Sequence, residues 1–147
     1  MRILIILFFT FSLSFGQNRS FSKKELLHIL KENDKKNWTS CDSDSLYYKS
    51  KIIYLDDIQD FKCWKYVTWN FKSLKKFWLL NGEKKHGLTK TTILTKNNFY
   101  RLKIIDKKNE IKLKIYKKGK LMEAFLVIDA AYNESLKCNR ISLKRIK

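Results

Sequence analysis

The stretch from Tyr100 to Lys117 constrains the fold more than any other part of the chain. Tyr100, Leu102 and Ile104 alternate with Arg101, Lys103 and Ile105, while Ile111, Leu113 and Ile115 alternate with Lys112, Lys114 and Tyr116. A period of two marks strands with one buried face. Lys107-Lys108-Asn109 supplies turn residues between the two runs. The pair therefore reads as an antiparallel hairpin whose apolar sets share one side, which requires facing positions with an odd sum. The tight turn sets Lys103 against Lys112 and Arg101 against Lys114, and like charges directly opposite each other are mildly destabilising.

Similar alternation and β-rich residue types recur from residue 45 onward. Strands are expected near 46–55, 63–71, 76–80, 88–94, 100–106, 110–117, 121–129 and 141–146. Asn81-Gly82, Lys96-Asn97-Asn98 and Lys118-Gly119 fall between them, where turn residues are wanted. The run 121–128 is apolar on both faces apart from Glu123, so it reads as a strand covered on both sides, with the N-terminal helix as the candidate cover. Eight short strands with tight connections predict an all-β fold, an antiparallel up-and-down barrel. Closure removes the open edges that invite aggregation.

One helix precedes the strands. In Phe21-Ser22-Lys23-Lys24-Glu25-Leu26, Ser22 and Glu25 are spaced for a reciprocal cap, and Phe21 and Leu26 occupy the flanking staple positions. Leu26, Leu27, Ile29 and Leu30 then form an apolar stripe, and the polar run from Lys31 to Asp34 ends it.

Residues 1–16 read as a secretory signal. Arg2 gives a positive start, residues 3–15 are apolar but for Thr10, Ser12 and Ser14, and small residues precede Gln17. The apolar run is shorter than the ~20 residues of a membrane span. The expected organisation is a signal peptide at 1–16, a helix and linker at 17–44 and a β-barrel at 45–147. The protein is then exported, periplasmic or secreted, after cleavage near Gly16 and Gln17.

Composition narrows the function classes. The chain has 147 residues, no proline, four glycines and three cysteines, which excludes collagen-like, linker-like and disulfide-dense architectures. Residues 17–60 carry eight basic and eight acidic side chains, whereas 61–147 carry 23 basic and six acidic ones. The positive excess thus belongs to the strand-rich part and points to an acidic partner. Export and the lack of any nucleic-acid-binding motif argue against nucleic acid.

The segment from Phe61 to Phe71 (Phe-Lys-Cys-Trp-Lys-Tyr-Val-Thr-Trp-Asn-Phe), the strand pair 100–117 and the closing Ile141-Ser142-Leu143-Lys144-Arg145 resemble small exported lipocalin-like proteins of AT-rich Gram-negative bacteria. Lys36-Asn37-Trp38 has Asn where the lipocalin Gly-x-Trp signature has Gly. The resemblance implies a cup-shaped barrel that binds a small apolar ligand, and it carries over no catalytic residue.

Candidate sites follow. Val67, Trp69 and Phe71 are expected to face inward and, with Tyr48, Tyr100 and Phe125, either to line a cavity or to pack as a filled core; barrels of this size do both. Arg101, Lys103, Lys112 and Lys114 form the expected basic outer surface. Cys63 and Cys138 both precede even-numbered strands of the expected barrel and so share a rim, which predicts a Cys63–Cys138 disulfide with Cys41 free. Two isolated histidines make no zinc site, and Asp42, Asp44, Asp56 and Asp57 lack the Gly and distal Glu of a calcium loop, so they read as solvated loop acids and no metal or cofactor is expected. No nucleophile or phosphate-loop motif is present, so a non-enzymatic role is expected. The leading reading is a binding protein for a small apolar or amphipathic, anionic envelope molecule. The alternative is a protein-interaction module, an inhibitor or assembly factor, with a filled core and a basic binding surface.

Overall fold

A computed structural model describes residues 22–32, 37–58, 62–86 and 88–147. The signal segment at 1–16, its cleavage point and Phe21 lie outside the described residues. Helix α1 spans Lys23–Glu32. Its start is capped as the sequence predicts: Glu25 N donates to Ser22 Oγ at 3.2 Å, and Ser22 N donates to Glu25 Oε2 at 2.7 Å. The two bonds satisfy amides that a helix start leaves without partners.

Nine strands follow: β1 Asn37–Cys41, β2 Ile52–Asp56, β3 Lys65–Ser73, β4 Lys76–Lys85, β5 Leu88–Thr91, β6 Phe99–Lys107, β7 Glu110–Lys117, β8 Lys120–Asn133 and β9 Cys138–Arg145. Eight of them close into an antiparallel barrel in the order β2-β1-β3-β4-β6-β7-β8-β9, and β9 returns to β2. The expected all-β barrel with one short N-terminal helix is therefore present. Within it, β1 lies between β2 and β3 and runs antiparallel to both, so β2 ends opposite Thr39, towards the start of β1, while β3 begins level with its end, and no tight turn joins the two. The ninth strand, β5, pairs with the far half of β4 and stands outside the ring.

The start of the barrel differs from the sequence expectation in two ways. Residues 37–41, expected as linker, form β1, so the barrel begins at Asn37 and not at residue 45. The expected strand 46–55 divides into a one-turn helix α2 over Leu46–Lys49 and β2, and a 3-10 turn at Ser43–Ser45 leads into α2. Asp44 and Ser45 adopt positive φ (56° and 62°), a conformation that breaks an extended strand.

The β6–β7 hairpin keeps its predicted faces but not its predicted register. Lys103 lies opposite Lys114, Arg101 opposite Tyr116, and Ile105 opposite Lys112. Lys108 and Asn109 are the two central turn residues, both with positive φ (53° and 60°). That is the primed turn that matches strand twist, and Asn tolerates it well. The register moves by two, so the apolar pairs Leu102–Ile115 and Ile104–Leu113 still share the inner side.

Asn81-Gly82 is not a turn. Both residues lie inside β4, with Gly82 opposite Tyr66 of β3. A Cβ at Gly82 would collide with the Tyr66 ring, so here glycine serves close approach, not chain reversal.

Cys41 is bonded to Cys63, and Cys138 is a free, buried thiol. This overturns the expected Cys63–Cys138 pair. The cause is the unforeseen β1. Cys41 closes β1 opposite Tyr66, so it shares a rim with the approach to β3. Cys138 opens β9; the ladders through Asp56 place it level with the start of β1, on the other side of that strand's length from Cys63.

The interior is packed from end to end. Leu26 and Leu30 of α1 enter one mouth, and Tyr47 of α2 enters the other. Between them lie Trp38, Trp69, Phe71, Phe77 and Phe125. Each such buried side chain contributes roughly 1.5–3 kcal/mol through burial of apolar surface.

Candidate functional site

Val67, Trp69, Phe71 and Phe125 face inward as expected, and all four are buried. They pack on their neighbours: the Trp69 ring centroid lies 4.9 Å from Phe77 and 6.0 Å from Phe125. Tyr100, half-buried, stacks on Phe77 at 5.7 Å, and the Lys117 ammonium lies 5.2 Å from its ring. These residues form the filled core. Tyr48 does not join them. It lies on α2, largely exposed, and its hydroxyl donates to Asn81 Oδ1 at 2.8 Å. Its neighbour Tyr47 takes the inward place, because α2 replaces the strand that would have turned Tyr48 inward.

Of the several pockets among the described residues, one lies beside α1. An apolar pocket of about 500 Å³ is lined by Lys23 and Leu27 of the helix, Leu74 and Lys75 of the β3–β4 turn, and Leu102, Lys103 and Ile104 of β6. The helix stripe explains its position. Leu26 and Leu30 turn into the barrel mouth, which leaves Leu27 on the flank, half-buried, facing the turn. Leu74 reaches it from a turn that is otherwise polar.

The lining combines four aliphatic side chains with three lysines and no carboxylate. Its volume falls in the range of small-molecule sites, ~300–1,000 Å³. Lysine chains bury their methylenes and keep the ammonium in water, so the rim is cationic over an apolar floor. Such a site can hold an acyl or similarly apolar body with an anionic group at the edge.

Of the predicted basic residues, Lys103 belongs to this pocket. Arg101, Lys103 and Lys114 share the outer face of the β6–β7 hairpin, with Lys112 further along, bonded to Glu110 at 2.7 Å. Lys23, Leu27, Leu74 and Lys75 escaped the sequence reading. The available signals were the doubled leucine at 26–27, wider than one inward stripe needs, and an aliphatic residue between Ser73 and Lys75.

Asp44 is an exposed loop acid as expected, but Asp42, Asp56 and Asp57 are structural instead of solvated. Asp56 is buried in β2 and accepts two hydrogen bonds from Arg140, from Nε at 2.7 Å and from Nη2 at 2.8 Å. Asp57 accepts from the backbone and side-chain amides of Asn139, and Asp42 Oδ1 accepts from the Tyr47 amide. Such bidentate, charge-assisted contacts lock β2 onto β9. Among the described residues, no group of His, Cys, Asp and Glu could hold a metal ion. No described helix is long and apolar enough to cross a membrane.

Comparison with protein-family models, with curated proteins and with solved structures yields no match.

Proposed function

We propose that this protein is an exported, non-enzymatic binding protein for a small amphipathic anion, held in the pocket between α1 and β6. The observation that carries this reading is the aliphatic floor of Leu27, Leu74, Leu102 and Ile104 under a rim of Lys23, Lys75 and Lys103. The resemblance to small exported lipocalin-like proteins agrees with a ligand-binding role, but the site lies at the barrel mouth because the centre is packed. The Cys41–Cys63 disulfide suits an oxidising compartment, as export through the 1–16 segment requires. The packed interior also favours a second reading, a protein-interaction module that works through its surface.

The test is a titration of the purified protein, with residues 1–16 removed, with a fluorescent fatty acid and with its neutral alcohol analogue. Saturable 1:1 binding that favours the acid is expected, and Lys75→Glu with Lys103→Glu should weaken it by at least about tenfold, 1.4 kcal/mol at 25 °C. Lys103→Glu also removes a like-charge pair with Lys114, so it should not cost stability. No saturable binding, or equal binding of acid and alcohol unaffected by the charge reversals, would sink the proposal.

A further inference from the structure

The barrel closes on eight strands, and the ninth, β5, adds an edge outside the ring. Strand β4 is ten residues long, but only Lys76–Trp78 pair with β6. Beyond that point β4 parts from β6 but stays paired with β3 as far as Glu83, and on its other side Gly82–Lys85 pair with β5. Strand β5 ends the sheet, with no strand on its other side among the described residues. All four of its residues are exposed, and Leu88 and Ile93 keep 78% and 79% of their surfaces.

The hydrogen-bond alternation identifies the free groups. Thr92 N donates to Asn81 O at 2.9 Å, so the amides of Lys90 and Leu88, in step with it, also face β4. The amides of Thr89 and Thr91 then point away from the sheet. An unpaired strand edge is a template for another extended chain, and natural proteins usually blunt it with charge, proline or a bulge. Strand β5 carries one such charge, Lys90, and no proline, and the chain that follows from Thr91 to Thr95 carries neither.

Charge selects the occupant. Lys65, Lys84, Lys85 and Lys90 lie at this edge against three carboxylates, Glu83, Asp42 and Asp57, of which Asp42 is held by the Tyr47 amide and Asp57 by Asn139. Glu83 is already bonded to Lys85 at 3.1 Å, and its carboxyl is held below the ordinary range by that bond first and by nearby Lys65 and Lys90 as well. A second copy of this chain, with formal charge +18, would bring the same lysines face to face. An extended acidic segment meets opposite charge instead. Lys90 shares a face with Leu88, and Thr89 shares the other with Thr91, so a partner strand would set an acid near Lys90 and β-branched residues elsewhere.

We infer that β5 is a docking edge for an extended acidic polypeptide, which adds to the sheet as a further strand. The inference is independent of the pocket beside α1.

The test uses a labelled peptide of alternating Glu and Val, with an alternating Lys and Val peptide as control. Anisotropy should report saturable binding of the acidic peptide alone, and hydrogen exchange should slow at the amides of Thr89 and Thr91. Thr91→Pro removes one outward donor and should weaken binding at least about tenfold. Lys90→Glu leaves the strand intact and should weaken it as well, which separates lost docking from lost folding. Binding unchanged in both variants, protection absent at Thr89 and Thr91, or self-association through β5 in place of peptide binding would each overturn the inference. Preference for an anionic vesicle or an oligonucleotide over the acidic peptide would overturn it too.

Discussion

Trp69 donates its indole N–H to the hydroxyl of Tyr47 across 2.8 Å, with both side chains almost wholly buried. The bond ties the core of β3 to the one-turn helix that plugs the barrel. Arg145 braces the same helix: it donates to the Tyr47 carbonyl and to Glu123 Oε1, each at 2.7 Å, and its guanidinium lies 4.8 Å from the Phe125 ring centroid. Tyr47→Phe keeps the ring but leaves the Trp69 N–H without an acceptor. A loss of about 1–3 kcal/mol is expected in urea unfolding at neutral pH.

The same tyrosine shapes the alkaline limb of stability. Burial, reinforced by the Glu123 carboxylate, raises its hydroxyl pKa well above the ordinary 10.0. Below pH 10 the group is neutral in both folded and unfolded chains, so its neutral form costs nothing. As pH rises past 10 the unfolded chain ionises first, binds fewer protons and gains stability relative to the fold. Tyr47→Phe should therefore be less stable at neutral pH but lose stability less steeply above pH 10. Parallel slopes for the two proteins would contradict the assignment.

The disulfide should matter more than its position near a rim suggests. It clamps β1, which meets β2 through a single register pair, to the approach to β3. With a sequence separation of 22 between the cysteines, converting both Cys41 and Cys63 to Ser should cost about 2–4 kcal/mol. The oxidised protein should show one titratable thiol only after unfolding. Cys138 is buried, and its pKa is raised first by that burial and then by Asp56 and Asp57. A rapidly reacting thiol in the native state would speak against this arrangement.

Gly82 tests the close packing of β3 on β4. Gly82→Ala pushes a methyl into the Tyr66 ring, whose outer end is the part that collides. The ring can swing aside, so the cost should be near the low end for overpacking, about 1 kcal/mol. Combined with Tyr66→Ala, the glycine substitution should cost nearly nothing, and a double-mutant cycle measures that coupling. Additive losses would mean that the ring does not set the requirement for glycine.

Much of this fold was legible locally. The Ser22–Glu25 cap, the β6–β7 hairpin and the inward set of Val67, Trp69, Phe71 and Phe125 depend on residues a few positions apart, so spacing alone discloses them. Even the misjudged hairpin register kept its faces, because a shift of two preserves alternation. The pocket was less visible: Lys103 was foreseen as basic surface, but its partners Leu27 and Leu74 come from a helix flank and a turn, where no period marks them.

What the amino-acid order determined by itself was therefore which residues prefer a buried side: the all-β character, the capped helix, the closed barrel and the basic excess of its strand-rich part. Tertiary structure alone decided which neighbour each surface met. It placed Tyr47 and not Tyr48 in the core, paired Cys41 with Cys63, put Asn81-Gly82 in mid-strand beneath Tyr66, and left β5 outside the ring. The reason is physical. Alternation and capping are settled by neighbours along the chain, but strand adjacency depends on contacts between distant segments. One unrecognised strand, β1, was enough to change the partners on both of its sides.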